Sequence, residues 1–230
     1  MRIGGLQETS LIDYPDTICA IIWTIGCNFN CPFCYNPQLV TEKTKLISEE
    51  EILAFLKKRQ GKLEGVSITG GEPLLQKDLK TFIKKIKTLG YLIKIDTNGA
   101  YPKILEQLLK ENLIDYIAMD IKAPPKKYDH LTATKINIDD IKKSIQIIQQ
   151  SEKDYEFRTT YVPSYLKKTD IIQIAQWLQG SKKFYLQQYK NNTPHLSKKL
   201  DTLKPYNKEY VLDTYNKIKP YFNKCYTRGI

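Results

Sequence analysis

Histidine is almost absent from this 230-residue chain: His130 and His195 are the only two. No apolar run approaches the ~18–20 residues that a membrane span needs. The longest, Ile18 to Trp23, suits a buried strand. Met1 to Gly5 lacks the apolar core of a secretory signal, so the expected location is the cytoplasm. Internal repeats, low-complexity stretches and linkers are missing too, and a single domain over 1–230 is expected. The five cysteines are an odd number, which argues against a disulfide framework.

What is present describes a soluble, globular chain, with 41% hydrophobic and 27% charged residues. The net charge of +11 raises the question of an acidic partner or nucleic acid. The positive charge is mostly lysine, spread as pairs such as Lys57-Lys58, Lys84-Lys85, Lys126-Lys127 and Lys182-Lys183. Scattered pairs fit solvated helix faces better than a nucleic-acid surface.

Apolar patterning predicts strands at Ile18–Thr24, Val66–Thr69, Leu92–Asp96, Tyr116–Asp120, Tyr155–Val162 and Phe184–Gln188. Helical segments alternate with them. Ser48 before Glu49-Glu50-Glu51 opens one running through Leu56. Asp78–Leu89 ends at Gly90, and Pro102 starts a helix to about Lys110. Ile138–Gln149, a segment from Thr169-Asp170 to Leu178, and Asn207–Tyr221 complete the set. Strands separated by helices imply parallel pairing through right-handed crossovers. Six units fit an open partial barrel or a doubly wound sheet, and both put active residues at the carboxyl ends of strands.

Chemically suggestive residues fall at those ends. Cys27 follows the first strand and Gly70-Gly71-Glu72-Pro73 the second. Asp96-Thr97-Asn98-Gly99 ends the third, and Asp120 and Lys122 end the fourth. Arg158 lies in the fifth, and Gln187-Gln188-Tyr189 ends the sixth.

Cys27, Cys31 and Cys34 stand in C-x3-C-x2-C spacing on the first of these loops. Thiolates suit zinc and iron–sulfur clusters. A structural zinc site closes with four protein ligands, and no fourth Cys or His lies nearby. Cys19 falls inside the first strand and Cys225 is remote. A cubane cluster normally takes four thiolates, so three leave one iron open, as in a catalytic site.

These residues carry a resemblance to the radical S-adenosylmethionine (SAM) superfamily. Its signature is C-x3-C-x2-C with an aromatic, here Phe33, before the third Cys and a glycine-glycine-glutamate turn on the second strand. The chain further resembles short activating proteins of anaerobic ribonucleoside-triphosphate reductase. Gly5 to Pro15, Cys34-Tyr35-Asn36-Pro37, Met119 to Pro124, Tyr155 to Thr160 and Tyr185 to Tyr189 carry that likeness. One departure is Tyr35, where relatives usually have His.

The resemblance implies an α/β fold, a partial (β/α)6 barrel over 18–190, with a lead-in 1–17 and a C-terminal extension 191–230. It implies one [4Fe–4S] cluster on Cys27, Cys31 and Cys34, with SAM on the open iron. Gly70 and Gly71 are expected at the SAM amino group, with Glu72 orienting their turn. Phe33 is expected on the adenine, with Tyr35 beside the cluster. Lys122 is expected near the SAM carboxylate or the substrate peptide, Arg158 near the SAM carboxylate or ribose or in a buried ion pair, and Asn98 and Gln188 near the ribose or a partner loop. Asp96, Thr97, Asp120 and the Ala118 carbonyl match a monovalent-cation site of the family. His130 and His195 receive no role.

The implied activity is reductive SAM cleavage to a 5′-deoxyadenosyl radical, with flavodoxin or ferredoxin as electron donor. That radical takes hydrogen from a glycine Cα of a partner glycyl radical enzyme. No cysteines between Cys34 and Gly70 suggest an auxiliary cluster. Two other readings stay open: a small-molecule radical SAM enzyme similar to 7-carboxy-7-deazaguanine synthase, and a non-catalytic metal-binding module.

Overall fold

A computed structural model describes residues 1–230. The chain runs β1 (Ile3–Ser10), β2 (Cys19–Thr24), α1 (Pro37–Val40), α2 (Glu49–Lys58), β3 (Gly65–Gly70), α3 (Leu79–Thr88), β4 (Leu92–Thr97) and α4 (Pro102–Lys110). It continues β5 (Tyr116–Asp120), α5 (Tyr128–Thr132), α6 (Ile138–Gln150), β6 (Asp154–Tyr161), α7 (Lys168–Trp177), β7 (Lys183–Gln188), α8 (Lys208–Ile218) and β8 (Lys224–Arg228).

Local chemistry sets the helix ends. Ser48 and Glu51 form a reciprocal cap on α2: Glu51 N–H donates to Ser48 Oγ at 3.1 Å and Ser48 N–H to Glu51 Oε2 at 2.9 Å. Pro102 occupies the first turn of α4, where its missing N–H costs nothing. Asn207 caps α8 by accepting from Tyr210 N–H at 2.8 Å.

All eight strands form one sheet in sequence order. Strands β2 to β8 run parallel, and β1 pairs antiparallel with β2. The six predicted strands are therefore flanked by two more. The lead-in supplies β1 and the C-terminal extension supplies β8. The predicted final helix stops at Ile218, and a short 3₁₀ turn over Lys219–Tyr221 follows, with Pro220 inside it.

Alternation along the strands separates two environments. Ile22, Ile68, Ile95, Met119, Phe157 and Leu186 face the helices within a 49-residue core. The other face carries only a four-residue apolar cluster, Tyr14, Cys19, Ile21 and Tyr116. The main hydrophobic driving force thus lies between sheet and helices, which leaves the inner face free for polar chemistry. Inner side chains meet across intervening strands: Lys183 of β7 sits 5.3 Å over the Tyr116 ring of β5, and Arg228 of β8 reaches Glu156 of β6 at 3.1 Å. Such contacts require a sheet curled around that face. It does not close, since β1 and β8 are unpaired with each other. No helix is long and apolar enough to cross a membrane.

Candidate functional site

The loop after β2 carries Cys27, Cys31 and Cys34. Cys31 is buried and the other two are half-buried. The backbone folds the loop on itself and ties it to its surroundings. Cys34 N–H donates to the Cys31 carbonyl at 3.0 Å, and Asn30 N–H to that of Thr132, the last residue of α5, at 2.9 Å. Phe29 N–H donates to Cys27 Sγ at 3.4 Å.

Burial pushes the Cys27 thiol up to about 11 and Cys31 to about 12, with Cys34 also raised. Lys122 opposes this at all three. Ionising these buried thiols calls for a cationic partner. No three His, Cys, Asp or Glu side chains converge on a single-ion site. A cubane instead gives each thiolate its own iron, and three thiols on one short loop fit that donor set.

The glycine-rich turn after β3 lies against this loop. Gly71 N–H donates to the Thr24 carbonyl and Glu72 N–H to that of Gly26, both at 2.9 Å. The approach is close enough to demand glycine. A Cβ on Gly71 would stand 2.0 Å from the Gly26 oxygen, and one on Gly70 2.3 Å from the Thr24 nitrogen. Gly70 also has a φ of +123°, where side chains are strained.

Glu72 is fully buried. It accepts from Leu74 N–H at 3.0 Å, Thr97 Oγ1 at 2.8 Å and Asn98 N–H at 2.7 Å. Burial raises its carboxyl to about 7 against those bonds. With both oxygens engaged, the buried Glu72 braces the β3 turn on the end of β4. Asn98, in turn, donates from Nδ2 to Asn28 Oδ1 at 2.9 Å and lies 3.9 Å from Cys27 Sγ. It is therefore a neighbour of the cysteine loop.

A charged layer crosses β4, β5 and β6 on the inner face. Arg158 donates from Nε to Asp120 Oδ1 at 3.2 Å, from Nη2 to Asp120 Oδ2 at 3.3 Å, and from Nη1 to Asp96 Oδ2 at 3.2 Å. Lys94 pairs with the other Asp96 oxygen, and Lys122 lies 3.5 Å from Asp120 Oδ2. Burial alone would raise both carboxyls. Arg158 and Lys122 outweigh it and hold Asp120 at about 2, while Arg158 and Lys94 hold Asp96 below the usual range. Burial likewise opposes the charges on Lys122 and Arg158, but their acidic neighbours raise both.

That arrangement changes one expectation. The case for a monovalent cation on Asp96, Thr97, Asp120 and Ala118 requires carboxylates in want of a positive charge. Here protein cations already face all four oxygens. Thr97 Oγ1 is turned to Glu72, and Ala118, register partner of Asp96, is buried. The residues do not fit a cation held between the carboxylates.

Three other candidate residues have partners within the chain. Phe33 is 5% exposed and belongs to the main core, so little of its ring is open to an adenine. Gln188 donates from Nε2 to the Tyr206 carbonyl at 2.6 Å and so faces the C-terminal extension. Tyr35 accepts at its hydroxyl from Lys190 N–H at 2.9 Å and packs against Tyr189 and His195.

The last contact reveals a device that sequence reasoning missed. The segment after β7 straps the cysteine loop: Leu196 N–H donates to the Cys34 carbonyl at 3.2 Å and Ser197 N–H to that of Pro32 at 2.9 Å. His195 anchors the strap, with Nδ1 2.7 Å from Asp201 Oδ1 and Nε2 2.9 Å from the Lys190 carbonyl. Also missed were Lys94, Glu156 and Arg228. Lys94 had a readable signal, since it lies two positions before Asp96 on the same strand face.

Residues 21–178 match the model of the radical SAM superfamily. A Methanocaldococcus jannaschii protein named as a candidate glycyl-radical enzyme activating enzyme, MJ1227, is 36% identical over 195 residues, 81% of this chain and 79% of that one. A second from that organism, MJ1632, with the same description, is 32% identical over 77% of this chain and 68% of its own. Among solved structures, Streptococcus suis SuiB bound to precursor peptide SuiA superposes with a TM-score of 0.67 at 18% identity. The superposition covers 91% of this chain and 48% of that one, so this chain spans about half of SuiB, and at that identity the likeness is one of fold. With the cysteine spacing, the glycine turn and the inner charged layer already in place, the family match leads to one conclusion: this chain is an enzyme of the radical SAM superfamily.

Proposed function

We propose that the chain is an activating enzyme that installs a glycyl radical on a partner enzyme, with anaerobic ribonucleoside-triphosphate reductase as that partner. The observation that carries the activating-enzyme role is the identity to MJ1227 across most of both chains; the choice of reductase rests on the resemblance of segments such as Gly5 to Pro15. Flavodoxin or ferredoxin in the cytoplasm is the proposed electron source.

In this reading Cys27, Cys31 and Cys34 hold a [4Fe–4S] cluster. When bound and reduced, the cluster supplies the electron that cleaves SAM to methionine and a 5′-deoxyadenosyl radical. The protein's part is binding and placement. The Gly70-Gly71 turn lets backbone approach the cysteine loop closely, which suits it to the SAM amino group. Lys122 and Arg158 provide the positive charge for the SAM carboxylate. Asn98 fixes the Cys27 side of the loop through Asn28. The open strand ends leave room for a polypeptide loop of the partner.

Electron paramagnetic resonance tests the reading. The reconstituted, reduced protein mixed with SAM and the reductase should yield a glycyl radical signal that needs all three. SAM cleavage with a new small product and no partner requirement would instead favour a small-molecule radical enzyme.

A further inference from the structure

We infer that Lys94 is a built-in counter-cation for the Asp96–Asp120 pair, so that this chain binds SAM without an alkali metal ion. The inference rests on the reading of this layer as part of the SAM pocket.

Lys94 is 2% exposed, and lysine at that burial is rare unless paired. Its ammonium meets Asp96 Oδ1 and, at 3.5 Å, Ser67 Oγ. Lys94 and Asp96 alternate onto the same inner face of β4. Register places Asp96 beside Ala118 of β5, and Asp120 beside Arg158 of β6. The layer therefore reads Lys94, Asp96, Arg158, Asp120, Lys122, with cations and carboxylates alternating. Each Asp96 oxygen has its own cation, Lys94 on one and Arg158 on the other. Asp120 spends both oxygens on Arg158 and one also on Lys122.

An added metal ion would have to displace an ammonium or guanidinium from its carboxylate. It would also add charge where positive groups already exceed negative ones. Glu156 contributes a third carboxylate below, and Arg228 neutralises it at 3.1 Å. Buried charges are tolerable only when paired. Removal of Lys94 alone would leave Asp96 short of one cation and open a space beside it. That space is where an alkali ion should then bind.

The test compares SAM affinity of the cluster-loaded protein by calorimetry in tetramethylammonium, sodium and potassium chloride at equal ionic strength. Wild type should bind SAM equally in all three, within about twofold. Lys94→Met should bind about tenfold more weakly in tetramethylammonium and recover in sodium or potassium. The Lys94→Met/Asp96→Asn double variant, which removes the charge pair together, should show no cation response. Melting temperatures without SAM give a second readout: potassium should raise that of Lys94→Met and leave wild type unmoved. Wild-type affinity or melting that rises with potassium, or a Lys94→Met variant that no cation restores, would overturn the inference. If wild type fails to bind SAM at all, the pocket reading fails, and the melting comparison still decides the role of Lys94.

Discussion

The Tyr35 and His195 rings lie 5.3 Å apart, centroid to centroid, joining the cysteine loop to the segment that leaves β7. Tyr35 stands where relatives of the family usually carry His. Here the imidazole comes from a distant part of the chain and serves as an anchor, bonded to Asp201 and the Lys190 carbonyl. His195→Ala removes two partly buried hydrogen bonds and should cost about 1–3 kcal/mol. It should also free Leu196 and Ser197 from the Cys34 and Pro32 carbonyls. Iron retained per chain after anaerobic desalting, measured beside the melting temperature, should fall. Unchanged iron retention would show that the strap does not support the loop.

Gly71 makes a sharper steric prediction. Gly71→Ala puts a methyl 2.0 Å from the Gly26 carbonyl oxygen, a backbone atom directly before Cys27. The loop must shift, and cluster content and SAM affinity should both drop. Gly90→Ala is the control for a methyl without a clash. Gly90, unlike Gly71, has a positive φ of +88°, and nothing lies within 4 Å of a Cβ there. It should cost about 1 kcal/mol of stability and leave cluster content unchanged.

Arg158 hydrogen-bonds two carboxylates and lies 3.8 Å from a third, Glu156, so its removal should hurt more than that of an ordinary surface pair. Arg158→Met leaves Asp96 and Asp120 each with a single lysine and should destabilise by about 3–5 kcal/mol in denaturant unfolding. Arg158→Lys keeps the charge but loses the fork that spans both acids. It should recover part of the stability and little of the SAM affinity.

The buried Glu72 carboxyl predicts a pH dependence with a defined sign. Its folded value, about 7, lies above the ordinary 4.5. Between those values the folded state holds the extra proton, so stability falls as pH rises from 4.5 through 7. The contribution is fully present below 4.5 and amounts to at most about 3 kcal/mol. Glu72→Gln abolishes the titration. The wild-type-minus-variant difference in unfolding free energy should therefore shrink steadily across that window. A flat difference would contradict the assignment.

Much of this was legible in the sequence. Each of the six central strands was predicted to within two residues, because Ile-rich runs between amphipathic helices have few other uses. The cysteine spacing and the glycine turn pointed to the same chemistry before any fold was known. The two flanking strands were not legible. Ile3–Ser10 holds two glycines and is mostly outside the core, and Lys224–Arg228 is short and charged. Lys94 was overlooked because a lone lysine in an apolar strand looks like an exposed residue until its strand neighbours are known. His195 and Tyr35 meet only through tertiary folding, which no local pattern reports. The surroundings of the two aspartates were hidden for a related reason: the carboxylates were visible, but not the three side-chain cations that face them.

The central claim is hydrogen abstraction from a glycine of a protein partner, and isotope transfer tests it most directly. The reductase would be prepared with α-deuterated glycine and mixed anaerobically with this protein, reductant and SAM, and the 5′-deoxyadenosine analysed by mass spectrometry. The account predicts deuterium in 5′-deoxyadenosine whenever the reductase is present. 5′-Deoxyadenosine formed in full yield without deuterium would contradict it.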